Sequence, residues 1–91
     1  MENIRAIENE IRGKVEKYGL EKHWLCSSIG NYPIDELMNN IFSEGYFFPD
    51  GNYIHKTDRV VNDVIGEIRE YLKIFEDNEE LWNKVRSRRN P

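Results

Sequence analysis

Two pairs of residues have the spacing and the chemistry of a metal site. His23 and Cys26 form one His-x-x-Cys pair, and His55 and Asp58 form a His-x-x-Asp pair. Imidazole, thiolate and carboxylate groups all bind zinc, and this spacing places both members of a pair within one helical turn. Only one of the four groups is a thiolate, and Trp24 beside the first pair is typical of a core segment. We therefore predict no bound metal and no other cofactor.

The first pair also resembles, in its residue types alone, a cysteine nucleophile beside a histidine base. Catalysis of this kind needs a third group that orients the base, and no residue can be assigned to that role from the sequence. A cysteine in apolar surroundings behaves as a small hydrophobic residue, so we expect Cys26 to be buried. The chain carries no other catalytic motif, and we predict that the protein is not an enzyme.

Charge and aromatic residues are segregated along the chain. Residues 23–55, between Lys22 and Lys56, contain no lysine or arginine, and we call this stretch the central segment. It holds seven of the 11 aromatic residues, namely Trp24, Tyr32, Phe42, Tyr46, Phe47, Phe48 and Tyr53. Its charged residues are four acids, Asp35, Glu36, Glu44 and Asp50. A segment of this kind is suited to burial or to contact with a partner, and poorly suited to binding phosphate.

Length and composition limit the class of protein. The chain has 91 residues, with 33% charged and 38% hydrophobic, which is the balance of one small globular domain over residues 1–91. Such a chain buries only about 60–65% of its unfolded surface, so its core is small. The net charge of −4 disfavours nucleic acid and anionic membranes. One cysteine, no signal-peptide pattern and no apolar run near membrane-spanning length predict a cytoplasmic protein.

The first helix is predicted by a regular hydrophobic stripe. Spacings of three and four residues relate Ile4, Ile7, Ile11, Val15 and Tyr18. Gly19 follows directly and suits a left-handed C-cap. The stripe is regular enough to pack against a second helix, so we also expect self-association as a homodimer or larger oligomer.

The middle of the chain is predicted to hold helices and one hairpin. Residues 20–29 are ambiguous and could continue as a short helix. A helix from Pro33 to Gly45 follows, with a buried face of Ile34, Leu37, Met38, Ile41 and Phe42. Residues 46–55 predict a β-hairpin turning at Pro49, Asp50 and Gly51, with a structured loop as the alternative.

The last third predicts two more helices. Thr57 or Asp58 caps the longest, which runs to about Glu76. Asp77 is predicted to cap a final helix that docks through Leu81, Trp82 and Val85, and we expect the basic tail after residue 85 to be frayed. The predicted fold class is helix-rich α+β, with four or five short helices packed around the hairpin at residues 46–55.

A winged-helix interpretation of this pattern fails on charge. Residues 33–44 would be the recognition helix and residues 48–53 the wing, yet neither carries a lysine or arginine. Much of the affinity for DNA comes from neutralising phosphates. The one basic cluster, Lys84, Arg86, Arg88 and Arg89, suits the negative end of a helix dipole. A DNA-binding regulator is therefore the lowest-ranked of three functional hypotheses, below a protein-binding and a ligand-binding role.

The aromatic cluster of Tyr46, Phe47, Phe48 and Tyr53 is the predicted partner-binding site. Side chains alternate across a strand, so three consecutive aromatic residues cannot all face one core. The alternative is that helices cover both faces of the hairpin. We predict stoichiometric protein–protein binding, and the size and composition are typical of a phage or mobile-element inhibitor or accessory factor. An oligomeric protein that binds a small, nucleotide-like ligand is the second hypothesis.

Overall fold

The computed structural model describes residues 3–80 and 83–84. Its elements, in chain order, are α1 (Ile4–Tyr18), β1 (Trp24–Ser27), β2 (Gly30–Pro33), α2 (Ile34–Phe42) and α3 (Asp58–Asp77). The two strands form one antiparallel sheet. The α+β class is therefore confirmed. The count is not, because three helices with these bounds replace the predicted four or five in the described part of the chain.

Helix α1 begins and ends as its sequence predicts. The Asn3 side chain accepts a hydrogen bond from the backbone N–H of Arg5 at 2.9 Å. At the other end Gly19 has a φ of 67°, a left-handed conformation that glycine adopts without a Cβ clash. The N–H groups of Gly19 and Leu20 donate to the carbonyls of Glu16 and Val15, which completes a Schellman motif. Leu20 is fully buried directly after this turn.

The hairpin lies in a different place from the one predicted. Residues 24–33 form it, so the stretch 20–29, which the sequence left ambiguous, does not continue as the short helix that was considered there. The register pairs Trp24 with Pro33 and Ser27 with Gly30. Gly30 has a φ of 130° and the Ser27 hydroxyl donates to its carbonyl at 2.7 Å. This close turn reverses the chain within two residues, which a helix continuing through residue 29 would not allow.

Residues 46–55 are a loop, so the hairpin predicted there is wrong and the alternative of a structured loop is correct. The turn itself forms, with Gly51 at a φ of 89° and its N–H donating to the Phe48 carbonyl at 2.8 Å. One further bond joins the Phe48 N–H to the Asn52 carbonyl at 2.9 Å. The flanking residues do not continue this pairing as strands. We call residues 46–53 the aromatic loop.

Helix α3 confirms the prediction of a long helix after a threonine cap. Thr57 Oγ1 accepts from the Val60 N–H at 3.2 Å. Asp77 is the last residue of α3 rather than the cap of another helix, because the helical backbone continues through it. Residues 79–80 and 83–84 are helical too. The predicted docking residues Leu81, Trp82 and Val85, and the basic tail, lie outside the described residues.

The three helices and the hairpin enclose one hydrophobic core. Its buried apolar residues are Ile11, Val15, Tyr18, Leu20, Tyr32, Ile34, Leu37, Met38, Ile41, Phe48, Val64, Ile65, Ile68 and Leu72. The predicted buried face of α2 is confirmed, with Phe42 packed at its margin. The stripe of α1 contributes Ile11, Val15 and Tyr18 to this core. Most of that stripe therefore packs within the chain. Self-association stays a prediction, and it would have to use a surface other than the buried part of the stripe.

Alanine at Gly30 is expected to destabilise the protein. A Cβ at this position would lie 2.6 Å from Cε2 of the buried Tyr32, and the φ of 130° is itself strained for an L-residue. We expect Gly30→Ala to lower the free energy of unfolding by about 1–3 kcal/mol, measured by urea denaturation. Gly13→Ala is the matched control, because its Cβ would meet nothing within 4 Å. In mid-helix that change should stabilise by up to about 1 kcal/mol. Equal effects at both glycines would contradict the described turn.

Candidate partner-binding surface

The four predicted partner-binding residues divide between surface and core. Phe47 is 62% exposed and Tyr53 is 44% exposed, whereas Phe48 is 2% exposed and Tyr46 is half-buried. Phe48 is therefore buried and the adjacent Phe47 exposed, although these residues lie in a loop and not in the strand to which the alternation argument applied. The structure places Phe48 in the core, so a contact surface in this region must be built by Phe47 and Tyr53.

Phe48 attaches the aromatic loop to the hairpin. Its ring stacks on that of Tyr32 in β2, with centroids 3.7 Å apart and planes 9° from parallel. Tyr46 meets the Phe48 ring edge-on at 5.8 Å. The buried Asn40 of α2 adds a hydrogen bond from its Nδ2 to the Tyr46 carbonyl at 3.4 Å. The start of the loop is thus held by both β2 and α2.

A polar network holds the tip of the same loop. The Tyr32 hydroxyl donates to Asp50 Oδ2 at 2.9 Å and accepts from Asn52 Nδ2 at 2.9 Å. Asp50 Oδ1 accepts from the Asn52 N–H at 3.0 Å, and its Oδ2 accepts from Asn52 Nδ2 at 3.1 Å. Tyr32 therefore fixes the loop twice, through its ring face and through its hydroxyl.

Phe47 and Tyr53 form an aromatic pair on the outside of this anchored loop. Their ring centroids are 4.8 Å apart and their planes are tilted by 40°. Contact between the rings restricts their rotamers before any partner arrives. The pair presents apolar surface to solvent between the buried Phe48 on one side of the turn and Ile54, which packs partly against the core, on the other.

Trp24 is a third exposed aromatic residue, and our sequence analysis missed it as a candidate. It lies on β1 with 63% of its surface exposed, while the next residue, Leu25, packs against the core. The signal that could have identified Trp24 is the alternation of exposed and covered side chains along a strand. This rule applies only after residues 24–27 have been assigned to a strand. Helical periodicity instead suggested that Trp24 was buried.

A small cavity of about 220 Å³ lies between Trp24 and the aromatic loop. It is lined by Trp24, Asn31, Tyr32, Pro33, Glu36, Pro49 and Asp50. We call it the Trp24 pocket. It is assembled from both strands, the first turn of α2 and the tip of the loop. Typical small-molecule sites measure about 300–1,000 Å³, so this pocket has the size for one side chain rather than for a nucleotide.

The start of α2, next to this pocket, is acidic. Lys22 Nζ donates to Asp35 Oδ2 at 2.7 Å, and this hydrogen bond with the charge of Asp35 raises the pKa of the lysine. Glu36 and Glu21 contribute to the same increase more weakly through their charges. Three acids therefore surround one cation here. This arrangement of charges is unfavourable to a phosphate group.

The residues considered as metal ligands have other surroundings. His23 Nδ1 lies 3.0 Å from the Tyr71 hydroxyl, and its ring packs edge-on against those of Tyr71 and Phe75. Cys26 is exposed, so the expectation of a buried thiol is wrong. Exposure alternates along β1, and Cys26 is at one of its exposed positions. In the part of the chain that the structure describes, no three His, Cys, Asp or Glu side chains gather as a metal site.

We expect a chelator to leave the fold unchanged. The described core is built from apolar side chains and does not use the His23, Cys26, His55 or Asp58 side chains. Circular dichroism and the melting temperature should therefore be the same with and without EDTA. A loss of helical signal with EDTA that zinc restores would contradict this prediction.

Comparison with known proteins gives this site no precedent. No family model matches the chain, and neither curated proteins nor solved structures yield a match. Over residues 3–80 and 83–84, no helix combines the length and the apolar character needed to cross a bilayer.

Proposed function

We propose that this protein acts by stoichiometric binding to a protein partner through the aromatic pair of Phe47 and Tyr53. The observation that carries the proposal is the exposure of two rings that contact each other, Phe47 at 62% and Tyr53 at 44%. Phe48, the residue directly after Phe47, is buried and holds the loop. Exposed apolar side chains are common singly, but a paired and anchored set is less so.

The physical basis is the low cost of ordering this surface. Association loses free energy when flexible loops and side chains must be immobilised at an interface. Here Phe48 and the Tyr32–Asp50–Asn52 network already hold the loop. Large aromatic side chains at the centre of an interface supply much of the binding energy. An inhibitor or accessory factor that covers a site on its partner is the role that we propose for such a small binding protein.

Self-association is the second candidate, favoured by a groove at the start of α1. This groove of about 760 Å³ is lined by Asn3, Ile4, Ile7, Ile41, Asp58, Val61 and Asn62. Ile4 is 49% exposed there, at the end of the α1 stripe that the core does not use. The nucleotide-like ligand ranks lower, because acidic residues line or adjoin the Trp24 pocket.

Site-specific photo-cross-linking tests the proposal. The photoreactive residue p-benzoyl-phenylalanine, placed at position 47, should give a discrete cross-linked product in cells of the source. The same residue at position 74 is the matched control, because Ile74 is also exposed, at 57%, but lies on α3. Native mass spectrometry of the recovered complex should show a fixed stoichiometry. Identical products from both positions, or none from position 47, would overturn the proposal.

A further inference from the structure

The Trp24 pocket combines apolar walls with carboxylates. Trp24, Pro33 and Pro49 provide apolar surface, while Glu36 and Asp50 provide the acidic groups. Neither lysine nor arginine is among the described residues that line it. A cavity with an exposed indole and two acids suits a cation, because the face of an indole attracts positive charge.

The two carboxylates differ in how far their hydrogen bonds are satisfied. Asp50 accepts from Tyr32 and from Asn52, so its charge is held in place by the loop. Glu36 Oε2 is shielded from solvent, and no described donor reaches it. No described donor pairs with the Glu36 carboxylate, so this group, unlike that of Asp50, is available to a donor that enters the pocket.

Lys22, which lies close to the start of α2, does not pair with Glu36. Lys22 is 84% exposed at its side chain and donates to Asp35, not to Glu36. Its charge acts on Glu36 only at longer range. The acidic excess at the start of α2 therefore favours a positive group arriving from outside.

We propose that the Trp24 pocket binds an arginine side chain of the protein partner, with the guanidinium against Trp24 and donating to Glu36. This inference rests on the proposed function, and it names the chemistry that the partner must present. Arginine fits better than lysine because its planar guanidinium stacks on aromatic rings, forms forked hydrogen bonds to carboxylates and loses less hydration. The pocket volume of about 220 Å³ matches one side chain rather than a folded element.

An NMR titration with a minimal probe tests the pocket without the partner. N-acetyl-arginine amide should shift the indole N–H signal of Trp24, identified by its loss in Trp24→Phe, with saturation in the millimolar range. N-acetyl-citrulline amide has nearly the same shape without the charge and, at matched chloride concentration, should leave the signal in place. N-acetyl-lysine amide should bind more weakly than the arginine probe.

Variants then locate the interaction. Glu36→Gln, followed by the Trp24 indole signal, and Trp24→Ala, followed by the backbone N–H signals of the pocket residues Asn31 and Asp50, should each weaken binding of the arginine probe about two- to five-fold. Asp35→Asn is the matched control, because it removes a charge from the same helical turn but the residue does not line the pocket. It should change the affinity by less than about two-fold. Equal losses in Glu36→Gln and Asp35→Asn would reduce the effect to general acidity and overturn the assignment.

The outcomes separate this inference from the proposed function. A cross-linked partner at position 47 without arginine binding would overturn the pocket assignment alone. If the arginine probe binds but no partner is cross-linked, the guanidinium site stands. The claim that a protein partner supplies the arginine is then overturned. Binding of the citrulline probe as tightly as the arginine probe would overturn the role of charge.

Discussion

Replacing Phe48 by alanine is expected to lower the free energy of unfolding by about 3–5 kcal/mol. Its side chain is 2% exposed, stacks on Tyr32 at 3.7 Å and meets Tyr46 edge-on, so truncation removes packing on two sides. A small domain is typically stable by about 5–15 kcal/mol, so this loss would consume much of the total. Urea denaturation followed by circular dichroism measures it.

Phe47→Ala is the matched control for this change. The residue is adjacent and of the same type but 62% exposed, so its truncation should cost less than about 1 kcal/mol of stability. Phe48→Leu tests whether the loss comes from volume, and it should destabilise less than alanine does. Equal destabilisation by Phe47→Ala and Phe48→Ala would show that both rings are core, which the described loop does not allow.

Binding to the partner should show the opposite pattern, with the largest losses at the exposed rings. We expect Phe47→Ala and Tyr53→Ala each to weaken the complex by about 2–4 kcal/mol, which is roughly 30- to 1,000-fold in Kd. The reason is that each truncation removes one ring of a contacting pair held at 4.8 Å. Once cross-linking has identified the partner, the free partner can be purified. Isothermal titration calorimetry of each variant with it measures these affinities.

Ile74→Ala is the control for that series. Ile74 is 57% exposed, like Phe47, but lies on α3 and outside the central segment. Its substitution should leave the affinity within about two-fold. Losses at Ile74 as large as those at Phe47, or unchanged affinity for both ring truncations, would place the interface elsewhere on the molecule.

Helices α1 and α3 were predictable because their signals are local. The stripe of α1, its glycine C-cap, and the threonine cap of α3 each depend on residues within a few positions of one another. Hydrophobic periodicity and capping act over the same short range, so they determine the helix bounds with little help from the rest of the fold.

The hairpin was misplaced because a strand of four residues is too short for its hydrophobic pattern to distinguish it from a helix or a loop. Two aromatic stretches flank a good turn at residues 49–51, and the local pattern favoured strands there. In the structure the Phe48 ring instead packs on Tyr32, which draws residues 46–53 onto β2 as a loop. Residues 24–33 form strands around the turn at Gly30, a conformation that hydrophobic spacing did not indicate.

The candidate site was predicted in part. Phe47 and Tyr53 were identified from the concentration of aromatic residues in the central segment, while Phe48 and Tyr46 could not be separated from them. Alternation predicted that adjacent rings cannot all face one core but could not say which of them does. The stacking partner Tyr32, 16 positions earlier in the chain, decides it.

The sequence by itself determined three properties of this protein: its helix-rich α+β class, the absence of lysine and arginine from the central segment, and the concentration of aromatic residues there. Only the tertiary structure decided which of those rings lie in the core and which face solvent. It also brought Trp24, Glu36 and Asp50 together from a strand, a helix and a loop to form one pocket. The physical reason is that composition and periodicity act locally, whereas burial and pocket formation depend on contacts between residues far apart in the chain.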